Sequence, residues 1–141
     1  MRCALISAAL VAALALAGCA GGASNVDSVS KFKGEQASVA RVIEDLQSAA
    51  EDSDERQLCG DLITGELRDA IAAGGKAATC TGALEKALKD TDQSDLTVKS
   101  VTVEAAKATV VVSAKLSDDS SRDATVELRK LGSAWRISKL P

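Results

Sequence analysis

Four cysteines are the residues of this chain best equipped for chemistry: Cys3, Cys19, Cys59 and Cys80. A thiolate can be alkylated, can close a disulfide or can hold a metal. Other routes to catalysis are thinly supplied. The chain has no histidine, the side chain whose ordinary pKa lies near neutrality. It has no tyrosine either, so no phenol can donate to an oxyanion. Serine nucleophiles have no histidine partner, and no Ser-x-x-Lys motif stands in a supporting context. The expectation is a chain with no catalytic residue, no metal and no cofactor.

The position of each thiol depends on the segment that carries it. After Met1-Arg2, the run from Cys3 to Ala17 is apolar except for Ser7, the length and flanks of a signal-peptide core. A spanning helix needs about 20 apolar residues, and Gly18, Gly21, Gly22, Ser24 and Asn25 end this run too soon. The stretch Leu16-Ala17-Gly18-Cys19 resembles the lipobox of bacterial lipoproteins. That resemblance implies that diacylglycerol is attached to Cys19, that the chain is cut before it, and that residues 1–18 are lost. Two acyl chains give a stable anchor where one gives only marginal binding. The alternative is secretory cleavage after Ala17 or Ala20. With Cys3 removed and Cys19 lipidated, Cys59 and Cys80 remain as an even pair in an oxidising compartment, which favours a disulfide. Two separate buried thiols or a redox pair are the alternatives, although the spacing is not Cys-x-x-Cys.

Residues 19–34 read as a flexible tether rich in glycine and serine, with Phe32 inside it. Residues 35–141 read as one domain. Val39, Val42, Ile43 and Leu46 share a helical stripe over residues 35–51. Asp54, with Gln57 three residues on, signals a new helix over 55–63 that turns Cys59 toward the core. The run Glu51-Asp52-Ser53-Asp54-Glu55 lacks the alternating ligands and turn glycine of a calcium loop. Thr64 should cap a helix over 65–73 with Leu67, Ala70 and Ile71 inward. Gly74-Gly75 should end it, one of them left-handed. Thr81 should cap a last helix to about residue 89. From Leu96 the period becomes two, with a change of parity between Val98 and Val101 that predicts a bulge near Lys99-Ser100. Strands carrying Ala108, Val110 and Val112, then Val126 and Leu128, then Trp135 and Ile137, follow through short turns. This is an α+β layer, helices first, on a curved four-stranded antiparallel meander.

Charge is uneven. Residues 35–95 carry 14 acids and 6 bases, residues 96–141 carry 5 acids and 8 bases. A net acidic domain offers nucleic acid no electrostatic footprint. The helix Val39-Ala40-Arg41-Val42-Ile43-Glu44-Asp45-Leu46, the segments Leu58-Cys59-Gly60-Asp61-Leu62-Ile63 and Thr79-Cys80-Thr81, the strand Leu96-Thr97-Val98-Lys99-Ser100-Val101 and the closing Gly132-Ser133-Ala134-Trp135-Arg136-Ile137 resemble the NTF2-like (cystatin-like cone) superfamily. Small bacterial lipoproteins of that superfamily are the nearer likeness. Catalytic members lean on Asp, His or Tyr inside the cone, and this chain departs from them in having neither His nor Tyr. Asp61 and Asp69, at polar helical positions, are the acids that a carboxylate-based isomerase or dehydratase would have to use. Trp135 belongs to the core and needs a partner for its indole N–H. The expected function is a non-catalytic, membrane-anchored, extracytoplasmic module, held by lipid on Cys19. It would bind an envelope protein or a small apolar ligand. A carboxylate enzyme and a purely structural envelope protein are the alternatives.

Overall fold

Helix α1 (Glu35–Glu51) forms where Val39, Ala40, Val42, Ile43 and Ala49 recur at helical spacing, and all five are buried. The computed structural model describes residues 26–89, 95–116 and 118–141. Residues 1–18 and Cys19, with the signal-peptide and lipid-attachment readings made on them, lie outside these. After α1 come α2 (Glu55–Gln57), running directly into a π-helical turn (Leu58–Leu62), then α3 (Gly65–Gly74) and α4 (Cys80–Lys89). The sheet follows as β1 (Leu96–Glu104), β2 (Lys107–Lys115), β3 (Ser121–Leu131) and β4 (Ala134–Lys139). Its order is β1-β2-β3-β4, antiparallel throughout.

The expected bulge is present: the β1–β2 register shifts between Val98 and Ser100. The extra residue restores the parity, so Val98 and Val101 both face inward and are buried. Val110, Val112, Val126, Leu128, Trp135 and Ile137 complete the inner face. Both sheet edges are occupied. Gln36 Nε2 donates to Val101 O at 2.9 Å, and Gln47 Oε1 accepts from Leu96 N–H at 3.1 Å, so α1 covers the β1 edge. On the β4 edge, Ile63 bridges Ile137, and Thr64 N–H donates to Ile137 O at 2.8 Å.

Several local expectations are corrected. A 3-10 helix spans Val26–Lys31, and Val29 and Phe32 pack half-buried against the core, so packing reaches back before Glu35. The predicted 55–63 helix widens into a π-helical turn, and Arg136 Nη1 reaches back to donate to Gly60 O at 2.6 Å. Ala70 is exposed, while Leu67 and Ile71 are half-buried. Thr64 does cap α3, accepting from Leu67 N–H at 3.3 Å. Thr79, not Thr81, caps α4, accepting from Gly82 N–H at 3.2 Å. The left-handed residue after α3 is Lys76 (φ 50), not a glycine. Ala77 N–H bonds Ala72 O and Lys76 N–H bonds Ala73 O, a Schellman ending with lysine in the strained position. Gly75 serves closeness instead: a Cβ there would stand 2.6 Å from Ala83 Cβ on α4.

The two positions therefore respond oppositely. Gly75→Ala should cost about 1–3 kcal/mol through overpacking, whereas Lys76→Gly should stabilise by about 0.5 kcal/mol by relieving the left-handed strain. Thermal unfolding of both variants under oxidising conditions measures this, and a destabilised Lys76→Gly would contradict the assignment. Cys59 and Cys80 form a disulfide across a sequence separation of 21. Replacing both by alanine should cost roughly 3 kcal/mol, read as a lower urea midpoint.

Candidate functional site

The space between the helices and the sheet is where the fold would hold a ligand. It is filled by side chains from both layers. Val39 and Ile43 of α1 and Leu58 of the π-helical turn meet Val110, Leu128 and Ile137 of the sheet, each no more than 3% exposed. Among the described residues, carboxylates approach this core at the start of α1 and midway along it. Asp61 and Asp69, the acids named as possible bases, are both exposed.

The first place is the start of α1. Glu35 Oε2 accepts from the indole Nε1–H of buried Trp135 at 2.6 Å, and Glu35 Oε1 accepts from Lys130 Nζ at 2.5 Å. Lys130 Nζ also lies 5.8 Å from the Trp135 ring centroid. This meets the indole's need for a partner and ties α1 to the β3–β4 hairpin. The Lys130 hydrogen bond, then that of Trp135, holds the Glu35 carboxyl below the usual carboxylate range.

The second is Glu44, which helical spacing assigns to the polar side of α1. It is half-buried, and its Oε1 is buried with no hydrogen-bond partner among the described residues. Burial, then the charge of Asp45, pushes its pKa up against a smaller opposing pull from Arg41. Sequence reasoning missed it because a half-buried acid at the margin of an apolar stripe has no signature of its own.

Other sites resolve into structure. Asp54 Oδ1 accepts from Gln57 N–H at 3.0 Å, so the acidic run supplies a cap. Among the described residues no group of three or more His, Cys, Asp or Glu could hold a metal, and no helix is long and apolar enough to cross a membrane. An open hollow of about 250 Å³ lies over the disulfide, lined by Arg56, Arg68, Thr79 and Thr81 among others. On the outer face of the sheet a polar hollow of about 130 Å³ is lined by Thr102, Lys107, Thr109, Glu127 and Arg129.

The two carboxylates act on stability with opposite sign. Glu35 is more acidic in the folded state, so it stabilises above the ordinary carboxylate pKa, and that contribution is lost as pH falls through its lowered value. Glu44 is less acidic when folded, so its contribution is present in acid and lost as pH rises through its raised value. Glu44→Gln should raise Tm at pH 7 and Glu35→Gln should lower it, both differences closing in acid. Melting curves from acid to neutral pH test the pair. Parallel curves for Glu44→Gln and the parent would rule out its half-buried ionisation.

No protein-family model matches the sequence, and no curated protein matches it significantly. Solved structures do resemble it. A SEC-C motif containing protein from Rhodopseudomonas palustris aligns at TM-score 0.56 and 15% identity, over 82% of this chain and 86% of that one. A de novo designed NTF2 fold protein aligns at TM-score 0.53 and 12% identity, over 77% and 87%. A protein described as an NTF2-like transpeptidase from Campylobacter jejuni aligns at TM-score 0.50 and 12% identity, over 72% and 97%. With the helical layer on an open four-stranded antiparallel sheet, these likenesses give the chain an NTF2-like fold.

Proposed function

We infer that the chain is a bacterial lipoprotein, anchored through lipid on Cys19 to the outer side of a cell membrane, whose domain binds an envelope protein rather than transforming a substrate. The observation that carries the binding half is the packed interior. Where an NTF2-like fold would house a small ligand, Val39, Ile43, Leu58, Val110, Leu128 and Ile137 meet one another instead. The anchor half rests on Leu16-Ala17-Gly18-Cys19 at the end of the apolar run. The transpeptidase neighbour, at 12% identity, lends its fold only. A carboxylate-based enzyme is the second reading, and the orphaned Glu44 oxygen is what favours it.

Labelling with a fatty-acid analogue during expression in a bacterium tests the anchor. The mature chain should begin at Cys19, carry the label and sediment with membranes, and Cys19→Ala should lose the label and the membrane association. An unlabelled chain cut after Ala17 or Ala20 would overturn it. Native mass spectrometry of the mature chain tests the binding half. A protein with no small-molecule adduct is expected, and a stoichiometric apolar adduct would move the function to ligand carriage.

A further inference from the structure

The direction of α1 sorts the charges of this domain into two ends. Gln36 reaches Val101 and Gln47 reaches Leu96, so α1 runs antiparallel to β1. The start of α1 therefore shares one end with the β1–β2 turn at Ala105-Ala106 and the β3–β4 turn at Gly132-Ser133, as the bonds of Lys130 and Trp135 to Glu35 require. The end of α1, the start of β1 and the β2–β3 loop share the other.

The first end is basic. Lys31, Lys33, Lys107 and Arg129 are exposed there, and of the described acids beside them Glu35 is bonded to Lys130 and Glu127 to Lys139, leaving Glu104. The far end carries Glu51, Asp52, Asp54, Glu55, Asp95, Asp118 and Asp119 against Arg56, Lys115 and Arg122. The basic end also has an apolar point. Leu131 is 51% exposed, the most exposed large apolar side chain among the described residues. Exposed Ala105, Ala106 and Ala134 lie beside it, since Lys130 N–H donates to Ala106 O at 2.9 Å and Leu131 pairs with Ala134.

The chain enters α1 at this same end. Six residues, 20–25, separate Cys19 from the 3-10 helix that leads into α1. Even fully extended, they reach only about 25 Å, roughly the length of α1 itself. We propose that this end is a docking surface for an anionic lipid bilayer, with Leu131 entering the headgroup layer and Lys31, Lys33, Lys107 and Arg129 meeting lipid phosphates. For its geometry it rests on the lipid-anchor reading. Each base held at an anionic surface raises partitioning about fivefold, and the acidic far end is repelled, so charge sets which way the domain faces.

The test uses the mature chain, residues 19–141, with Cys19→Ser to remove the lipid. It should bind vesicles containing phosphatidylglycerol and not vesicles of phosphatidylcholine alone, and high salt should release it. Lys107→Gln and Arg129→Gln should each weaken partitioning about fivefold. Leu131→Ser should weaken it too, and Asp118→Asn should not. Equal binding to both vesicle types, or variants without effect, would overturn the proposal. The lipidated chain in anionic nanodiscs doped with nitroxide lipid gives a second readout. Amide signals should broaden at residues 105–107 and 131–134 and persist at 118–120. Broadening at the far end on a chain lipidated at Cys19 would sink the docking surface and leave the anchor standing. Selective vesicle binding by a chain that cells never lipidate would do the reverse.

Discussion

The inner face of the sheet, running from Val98 through Val110, Val126 and Leu128 to Ile137, is a continuous apolar surface that water would otherwise cover. α1 covers it, and the domain depends on that contact. Each Val, Leu or Ile removed from water here stabilises by about 1.5–3 kcal/mol, so the stripe Val39, Val42 and Ile43 outweighs every single polar contact in the domain. Orientation comes from the polar contacts. Gln36 and Gln47 bond the outer edge of β1, and Glu35 takes hold of the β3–β4 hairpin through Trp135 and Lys130. A helix gripping a sheet by its edge and its end cannot slide or rotate without breaking one of these bonds.

That packing has a functional consequence. An NTF2-like cone becomes a site when the contact between its layers is left open, and here Val39, Ile43, Leu58, Val110, Leu128 and Ile137 are buried in that contact. Among the described residues, the buried side-chain atom left without a hydrogen bond is Oε1 of Glu44, a half-buried carboxylate. Local rules are broken most often where function needs it. In this setting the burial of Glu44 works against the fold at neutral pH, an expense that the apolar stripe beside it absorbs.

The strands and the core were legible because a period of two on a one-sided sheet leaves little freedom. Even the bulge near Lys99 showed as a change of parity between Val98 and Val101. The Cys59–Cys80 pairing was legible as well, though through an expected compartment rather than through geometry. Helix ends were less so. Thr81 looks like the cap of α4, yet the helix begins one residue earlier, at Cys80, and Thr79 takes that place. Gly74-Gly75 looked like a left-handed ending, because sequence cannot distinguish a glycine needed for its φ from one needed for its missing Cβ. Phe32 and Val29 looked like tether because two apolar residues set no period, yet both pack on the core. Glu35 stands in the first turn of α1, where an acid is favoured, but its bond to a tryptophan 100 positions later belongs to tertiary structure.

The disulfide makes most sense beside the weakness of the layer it closes. α3 has no fully buried residue, and α4 contributes only Cys80 and Ala83. Their stripes, Leu67 with Ile71 and Leu84 with Leu88, are only half-buried against the core, so hydrophobic burial alone fixes them poorly. The crosslink holds the start of α4 to the π-helical turn, and Gly75 lets the end of α3 approach Ala83. Between those two points the segment from α2 to α4 is fastened by covalent and steric means where apolar area is short. The same segment meets β4 through Ile63 and Thr64, which protects the sheet edge that α1 does not reach. Fastening the weaker helices thus also closes the β4 edge, so that both edges of the sheet are paired by the helical layer.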